Sequence, residues 1–117
     1  MKTQNLKYVL ITPARNEEAY IEKTIRSVIS QTALPEKWVI VSDGSTDHTD
    51  EIVRNYTGQH PWIELVRLPE RKERHFAAKV RAFNAGYEKV RGIRYDIIGN
   101  LDADLSFEPD YIEFLLG

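Results

Sequence analysis

Short apolar runs alternate along the chain with segments of helical period. The runs are rich in aliphatic and β-branched residues, and they predict strands at 8–12, 38–42, 63–68 and 96–101. The segments between them carry apolar residues three or four positions apart, and they predict helices at about 18–31, from about 46, at about 76–90 and from Pro109. Strands and helices that alternate in this order are typical of a mostly parallel sheet. We therefore predict an α/β fold of the Rossmann-like, three-layer α/β/α class.

The third predicted helix carries a stripe of large apolar residues. The stripe consists of Phe76, Val80, Phe83, Tyr87 and Val90, and we expect it to pack on the sheet. Gly92 follows the stripe and is expected to end the helix.

Composition narrows the class of protein. The chain has 117 residues, a length that fits one compact domain spanning 1–117. A hydrophobic fraction of 42% and a charged fraction of 29% are typical of a folded globular protein. The formal net charge of -2 argues against a general nucleic-acid binder. The chain has no cysteine, which excludes disulfides and thiolate metal sites and fits a reducing cytoplasm, where we expect the protein to reside.

The predicted last helix begins shortly before the sequence stops at Gly117. We expect the domain to be part of a larger one, because the sheet would otherwise keep an uncovered edge. Such an edge would allow a homo-oligomer to form. No apolar stretch approaches the roughly 20 residues that span a bilayer, so we expect any membrane contact to be peripheral and made through the rest of the larger domain.

Two acids follow the fourth predicted strand. Alternate residues of an extended chain share a face about 6.5 Å apart, so the carboxylates of Asp102 and Asp104 would lie side by side. Two such carboxylates repel each other unless a cation or hydrogen-bond donors arrive, and this favours a site for a hard divalent metal. The alternative is a solvated turn in which Asp104 or Ser106 caps the helix that follows.

Polar clusters follow three of the predicted strands, at 12–18, 42–47 and 102–104. In an open parallel sheet the carboxyl ends of the strands meet at one edge, and ligands bind there near the point where strand order reverses. The sequence therefore predicts one site built from all three clusters.

The first cluster lacks the glycine patterns of dinucleotide folds and of P-loops, which disfavours a dehydrogenase and an NTPase. Pro13 fixes the chain as it leaves the sheet. For Arg15 and Asn16, ligand contact and a structural role such as helix capping stay open. Glu17 and Glu18 are expected to be first-turn acids of the helix.

Asp43 is the strongest candidate of the second cluster. Its carboxylate lies at a strand end, and the neighbouring Gly44 lets a ligand come close to the backbone. Such a carboxylate can accept a hydrogen bond from an N–H of a planar base. The alternative is an Asx turn. The three residues that follow Gly44 are expected to do cap and turn work: Ser45, Thr46 and Asp47.

A basic stretch precedes and enters the third predicted helix. Its cations outnumber its acids, Glu70 and Glu73, and are Arg67, Arg71, Lys72, Arg74, Lys79 and Arg81. They could neutralise a diphosphate or form a solvated face. Lys79 and Arg81, with Arg74, are the best candidates for the diphosphate, because backbone N–H groups at a helix start already favour anions. His75 could touch phosphate or pack in the core.

Together the motifs resemble the amino-terminal half of family 2 glycosyltransferases, nucleotide-sugar enzymes of the GT-A type. The matching segments are 9–18, 41–47, 79–86 and 101–104, in the family's order. The resemblance implies a donor site for a nucleotide-diphosphate sugar, with UDP expected. It also implies a glycan or lipid-linked acceptor, as in cell-envelope polysaccharide or glycan synthesis.

The resemblance also implies roles for single residues. The Asp43 carboxylate would accept a hydrogen bond from a uracil-like base. Asp102 would hold ribose or metal-linked groups, and Asp104 would bind Mn²⁺ or Mg²⁺ that bridges the diphosphate. The other residues expected to bind nucleotide are Thr12 and Pro13, which would line the nucleoside pocket, and Ala14, Asn16, Lys79 and Arg81.

Family members invert the anomeric centre and use a carboxylate base that lies beyond the metal motif, where this chain has few residues. Ser42 also stands where an acid is frequent, and 69–75 replaces a loop that is often rich in glycine. Two functions therefore stay open: a metal-dependent glycosyltransferase or its donor-binding portion, and a non-catalytic nucleotide-sugar binding or assembly module. A sugar-1-phosphate nucleotidyltransferase ranks last, because the first loop is not glycine-rich.

Overall fold

The computed structural model describes residues 6–70, 75–105, 108–109 and 111–116. Strands and helices alternate in the predicted order. The elements are β1 (Tyr8–Ala14), α1 (Ile21–Ile29), β2 (Lys37–Asp43), α2 (Thr49–Thr57), β3 (Ile63–Leu68), α3 (His75–Val90), β4 (Ile97–Asn100) and α4 (Tyr111–Leu116). Among the described residues, no helix has the length and apolar character needed to cross a bilayer.

The four strands form one parallel sheet in the order β3-β2-β1-β4. Strand order runs outwards from β1 to β3 and then reverses, because α3 carries the chain back across the sheet to place β4 on the other side of β1. The reversal point therefore lies between β1 and β4, which is where an α/β sheet binds its ligands. The predicted fold class, a Rossmann-like α/β fold with a mostly parallel sheet, is confirmed.

Side chains of β1 and β2 alternate between two cores. Tyr8, Leu10, Trp38 and Ile40 face the core that α1 and α2 cover. On the opposite face, Val9, Ile11, Val39 and Val41 pack with residues of α3. This alternation with a period of two follows from strand geometry, and both faces are buried because helices cover both. The molecule thus has the predicted three layers.

The contact face of α3 differs from the predicted stripe. Val90 is buried, but Val80 and Tyr87 are 42% and 41% exposed, so the expectation that they pack on the sheet is wrong. The buried face consists of the smaller residues Ala78, Ala82 and Gly86, which recur every fourth position. A Cβ built on Gly86 would lie 2.5 Å from the Cγ2 atom of Ile11. Small residues are needed here because α3 lies directly on the bulky side chains of the central strands.

Element boundaries also shift from those predicted. β1 and β2 extend to Ala14 and Asp43, whereas α1 and α2 begin three residues or so later than expected, at Ile21 and Thr49. The last helix begins at Tyr111 instead of Pro109. Polar residues that the sequence assigned to first helical turns therefore lie in the loops at the strand ends, where the candidate site is located.

Candidate functional site

A cleft of about 520 Å³ opens at the carboxyl ends of β1, β2 and β4, with α3 as one wall. It lies at the point where strand order reverses. The residues that line it come from all three predicted polar clusters and from α3: Pro13, Ala14, Arg15, Asn16, Glu17, Asp43, Ala78, Lys79, Ala82, Asp102, Ala103 and Asp104. The structure thus brings together most of the residues that the sequence predicted for one site.

Thr12 does not line this cleft with its side chain. It is fully buried on the α1 and α2 side of the sheet, where its Oγ1 accepts a hydrogen bond of 2.8 Å from the Nε1–H of Trp38. Pro13 lies in the cleft instead. The full burial of Thr12 beside Trp38 is what keeps it out of the cleft.

Asp43 ends β2 on the α3 side and pairs with Arg81. The Arg81 Nη2 atom lies 2.5 Å from the Asp43 Oδ1 atom, and the two side chains are only 21% and 6% exposed. The sequence placed Arg81 at a diphosphate, whereas here its guanidinium contacts a buried carboxylate at a strand end. Lys79 remains the cation of α3 that lines the cleft, and its side chain is exposed.

Asp102 and Asp104 lie exposed in the cleft on either side of the buried Ala103. Their negative charges interact with Glu17, which lies in the loop after β1. Burial raises the pKa of Glu17, and the negative charges of Asp104, Asp47 and Asp102 raise it further, while Lys79 opposes them. Glu17 is therefore a cleft residue, not a first-turn acid of α1. Its position at the end of β1, beside the strand-order reversal, is the sequence signal that could have found it.

Acidic side chains outnumber basic ones in the cleft. Four carboxylates line it, those of Glu17, Asp43, Asp102 and Asp104, against the cations Arg15 and Lys79. Arg15 is in addition 3.7 Å from Glu70. A phosphate group entering this cleft would be repelled unless a cation came with it.

The carboxylates of the cleft suit a metal ion that is held partly by the protein and partly by a phosphate group of a ligand. Among the described residues, no group of three His, Cys, Asp or Glu side chains is arranged to hold a metal ion. Asp102 and Asp104 supply two carboxylates on one side of the cleft. Mg²⁺ is commonly held by one or two carboxylates together with substrate phosphates and water, so these residues fit such an ion.

Hydrogen bonds join the loop after β1 to the loop after β2. Asn16 adopts a positive φ of 53° and donates its backbone N–H to Ser45 Oγ at 3.1 Å. Its side-chain Oδ1 accepts the backbone N–H of Thr46 at 2.8 Å. Asn16 therefore does not cap α1, whose N-cap residue is Tyr20, although it still lines the cleft. Asparagine tolerates this left-handed conformation better than most residues.

The loop after β1 is also bonded to Thr49, where α2 begins, and to Asp47 shortly before it. The backbone N–H of Glu17 donates to Thr49 Oγ1 at 2.9 Å, and that of Glu18 donates to Asp47 Oδ2 at 3.1 Å. Asp47 also accepts the backbone N–H of Thr49 at 2.9 Å. Burial alone would raise the pKa of Asp47, but the hydrogen bonds from Thr49 and Glu18 outweigh it and lower that pKa. Asp47 thus makes a turn contact, as predicted, whereas the N-cap residue of α2 is His48, which makes no side-chain cap hydrogen bond.

Of the other cations in the basic stretch, Arg67 is described and does not line the cleft. Arg67 pairs with Asp50 at 2.8 Å on β3 and α2. The predicted candidates Arg71, Lys72, Glu73 and Arg74 lie outside the described residues, as do Ser106 and the side chain of His75.

The sequence model of Glycosyl transferase family 2 matches residues 9–117. The chain belongs to that family. The resemblance stated from the sequence is thereby confirmed.

Curated relatives support the assignment. The chain is 36% identical over 104 residues to the putative teichuronic acid biosynthesis glycosyltransferase TuaG of Bacillus subtilis (strain 168), covering 89% of this chain and 38% of the relative. It is 32% identical over 104 residues to a chondroitin synthase of Pasteurella multocida (strain Pm70), covering 89% of this chain and 10% of that one. The chain therefore spans well under half the length of these two relatives.

Solved structures share the fold. The mannosyltransferase PcManGT from Pyrobaculum calidifontis, in complex with GDP-Man and Mn²⁺, superposes with a TM-score of 0.73 at 24% identity over 98% of this chain and 34% of that one. S. aureus TarS 1-349, in complex with UDP, gives a TM-score of 0.71 at 21% identity over 94% of this chain and 31% of that one. Both proteins have the GT-A fold, the fold type expected for this chain.

Proposed function

We propose that the cleft binds a nucleotide-diphosphate sugar and that the protein transfers the sugar to an acceptor hydroxyl. The observation that carries this proposal is the meeting of Asp43 with Asp102 and Asp104 in one cleft, at the reversal point of the sheet. In the sequence these acids are far apart. A shared cleft is what a ligand with a base at one end and a charged group at the other requires.

The end of the cleft at β2 would hold the base. Asp43 Oδ1 is engaged by Arg81, which fixes the carboxylate and leaves its other oxygen to accept an N–H from the base. The N3–H of uracil is such a donor. TarS in complex with UDP supports a uridine donor, whereas PcManGT in complex with GDP-Man shows that this fold also takes guanosine.

The end of the cleft at β4 would hold the diphosphate. Asp102 and Asp104 would hold Mn²⁺ or Mg²⁺, and Lys79 adds a positive charge from the α3 wall. When bound, the metal offsets negative charge that develops on the departing nucleoside diphosphate. The excess of acids in the cleft supports this assignment, since without a cation the same acids would repel the diphosphate. The neighbouring PcManGT structure was obtained with Mn²⁺.

The reaction proposed is transfer with inversion to a glycan or lipid-linked acceptor. Inversion requires a base that takes the proton from the acceptor hydroxyl on the face opposite the leaving group. We do not assign that base to any of the four cleft acids. They follow β1, β2 and β4 and line the proposed donor site, whereas the base must contact the acceptor. The acceptor site and the base would then lie in a region corresponding to the part of the relatives that this chain does not span.

Calorimetry with UDP and with GDP, each with and without Mn²⁺, tests the proposal. We expect UDP to bind more tightly when Mn²⁺ is present, and we expect Asp104→Asn to remove most of that gain because it removes a charged metal ligand. Glu88→Gln is the matched control, because Glu88 is an exposed acid of α3 that pairs with Arg91.

Equal affinity for UDP with and without Mn²⁺ would rule out the metal site at Asp104. Tighter binding of GDP than UDP would overturn the uridine assignment. Transfer of a labelled sugar by the 117-residue chain alone would show that it contains its own base, and binding without transfer would favour the donor-binding module.

A further inference from the structure

We propose that two buried polar residues, Thr24 within α1 and Gln31 just after its end, position the loop that carries Asp102 and Asp104. The inference deepens the proposed function, because it rests on the role given there to these two acids. Neither residue lines the cleft, and no sequence motif of the site includes them. They are positioning residues that act through the backbone of the acidic loop.

The Thr24 hydroxyl lies between two carbonyl groups of that loop. Its Oγ1 atom is 2.8 Å from the carbonyl oxygen of Ala103 and 2.7 Å from that of Leu105. A threonine within a helix usually donates to the carbonyl four residues earlier, yet here Tyr20 O is farther away at 3.5 Å. The hydroxyl has one proton, so it is shared between the two loop carbonyls.

These two carbonyls belong to the residues on either side of Asp104. The backbone is therefore fixed immediately before and immediately after the predicted metal ligand. Thr24 is fully buried among the apolar residues of α1, and Ala103 is buried in the same core. Water cannot easily replace the hydroxyl at the buried Ala103 carbonyl, so its loss would leave that oxygen without this donor.

Gln31 holds the same segment further along the chain. Its Nε2 donates to the carbonyl oxygen of Glu108 at 2.7 Å, and its Oε1 accepts the backbone N–H of Ile112 at 2.9 Å. Gln31 is 5% exposed and lies just beyond the last residue of α1, Ile29. The two side chains therefore anchor the described parts of the segment that runs from Ala103 to the start of α4.

The acids give this anchoring a function. Asp102 and Asp104 carry like charges and also repel Glu17, so electrostatics alone would move the loop away from the cleft. Buried hydrogen bonds to a helix of the core oppose that movement. Groups that orient metal ligands typically change metal affinity by about 10- to 100-fold when they are removed.

The test compares Thr24→Val, which keeps the shape and removes the hydroxyl, with Thr24→Ser, which keeps the hydroxyl. UDP affinity is measured by calorimetry with and without Mn²⁺. We expect Thr24→Val to reduce the gain from Mn²⁺ by about tenfold or more and to leave metal-free UDP binding unchanged, and we expect Thr24→Ser to retain the gain. Thr57→Val is the control, because this α2 hydroxyl donates locally to Arg54 O.

A second readout needs no ligand. We expect amide hydrogen exchange at 101–105 to be faster in Thr24→Val than in the wild type and in Thr24→Ser. Gln31→Met should accelerate exchange of the Ile112 amide, whose acceptor it removes, and it serves as the second variant if Thr24→Val does not fold.

The outcomes separate the two proposals. If the wild type binds UDP with no gain from Mn²⁺, the proposed function fails, while faster exchange confined to Thr24→Val still supports the positioning role. Unchanged exchange at 101–105 in folded Thr24→Val overturns that role. A loss of UDP affinity that is equal with and without Mn²⁺ also overturns it, because it would indicate general destabilisation of the cleft.

Discussion

Replacing Arg81 with Met removes the cation that neutralises Asp43. Methionine retains much of the aliphatic stem, so the packing of α3 on the sheet changes little and the charge is the main loss. The two side chains are 21% and 6% exposed and their closest atoms are 2.5 Å apart. The variant therefore leaves a carboxylate at the end of β2 with little access to water.

The expected destabilisation follows from burial and distance. Removing one partner of a fully buried ion pair costs about 3–5 kcal/mol, because the remaining charge stays buried without compensation. Arg81 is partly exposed, so water can enter where the guanidinium was, and we expect a loss of about 2–3 kcal/mol in the free energy of unfolding. Asp43→Asn should cost less, because the remaining Arg81 reaches solvent more easily and the amide oxygen still accepts a hydrogen bond.

Urea unfolding at neutral pH measures both variants and the double variant. Arg91→Met is the matched control, because it makes the same substitution close to the end of α3 and breaks the Arg91–Glu88 pair, whose side chains are both 62% exposed. The control should lose less than about 0.5 kcal/mol. The Arg81→Met loss should persist in 1 M NaCl, since salt screens buried pairs much less than exposed ones (Debye length about 3 Å at 1 M).

Two results would refute this reasoning. Arg81→Met could be as stable as Arg91→Met, in which case the pair contributes nothing to the fold. The losses of Arg81→Met and Asp43→Asn could also add fully in the double variant, whereas residues in direct contact should show a coupling of about 1 kcal/mol or more. If the pair orients Asp43 for a base, Arg81→Met should also weaken UDP binding equally with and without Mn²⁺.

Two further perturbations test the packing and the loops. Gly86→Ala should lower the free energy of unfolding by about 1–3 kcal/mol, because its Cβ would lie 2.5 Å from Ile11 Cγ2 and force α3 off the sheet. Gly92→Ala, with nothing within 4 Å of its Cβ, is the control, and equal stability of the two variants would contradict this account of α3. The lowered pKa of Asp47 means that its ionised form stabilises the fold, so its contribution is present above the ordinary value of 3.8 and is lost as the pH falls through the lower folded value. Urea unfolding should therefore show the advantage of the wild type over Asp47→Asn shrinking as the pH is lowered from about 5 to about 2, and an advantage independent of pH would speak against it.

The sequence was sufficient for the order of elements and for the edge of the sheet that forms the cleft. Alternating periodicity predicted a parallel sheet, and a parallel sheet brings strand ends together, so the convergence of Asp43, Asp102 and Asp104 followed without side-chain detail. The face of α3 was not predictable in the same way. Large apolar residues mark a buried face only when the partner surface has room for them, and the bulk of Ile11 on β1 leaves room only for Ala82 and Gly86.

The errors within the site have a common physical cause. Whether Thr12 or Pro13 faces the cleft depends on the phase of the strand, and whether Glu17 lies in the cleft depends on where α1 begins. Both depend on contacts between elements distant in sequence, such as the hydrogen bond of Trp38 to Thr12 and the bonds between the loops, which a local pattern does not contain. The pairing of Arg81 with Asp43 joins residues 38 positions apart and depends on α3 crossing the sheet.

The acidic cleft also explains why so many polar contacts surround it. The raised pKa of Glu17 means that its ionised form is disfavoured in the folded chain, so the protein loses stability as the pH rises above the ordinary value of 4.5. A fold that keeps such acids together needs contacts that hold the loops against their repulsion. The bonds from Asn16 to the β2 loop and those from Thr24 to the β4 loop meet that need on the two sides of the cleft. A cation bound among the acids would then relieve a repulsion that the ligand-free protein already bears, and the free energy released would favour binding of the metal and its diphosphate together.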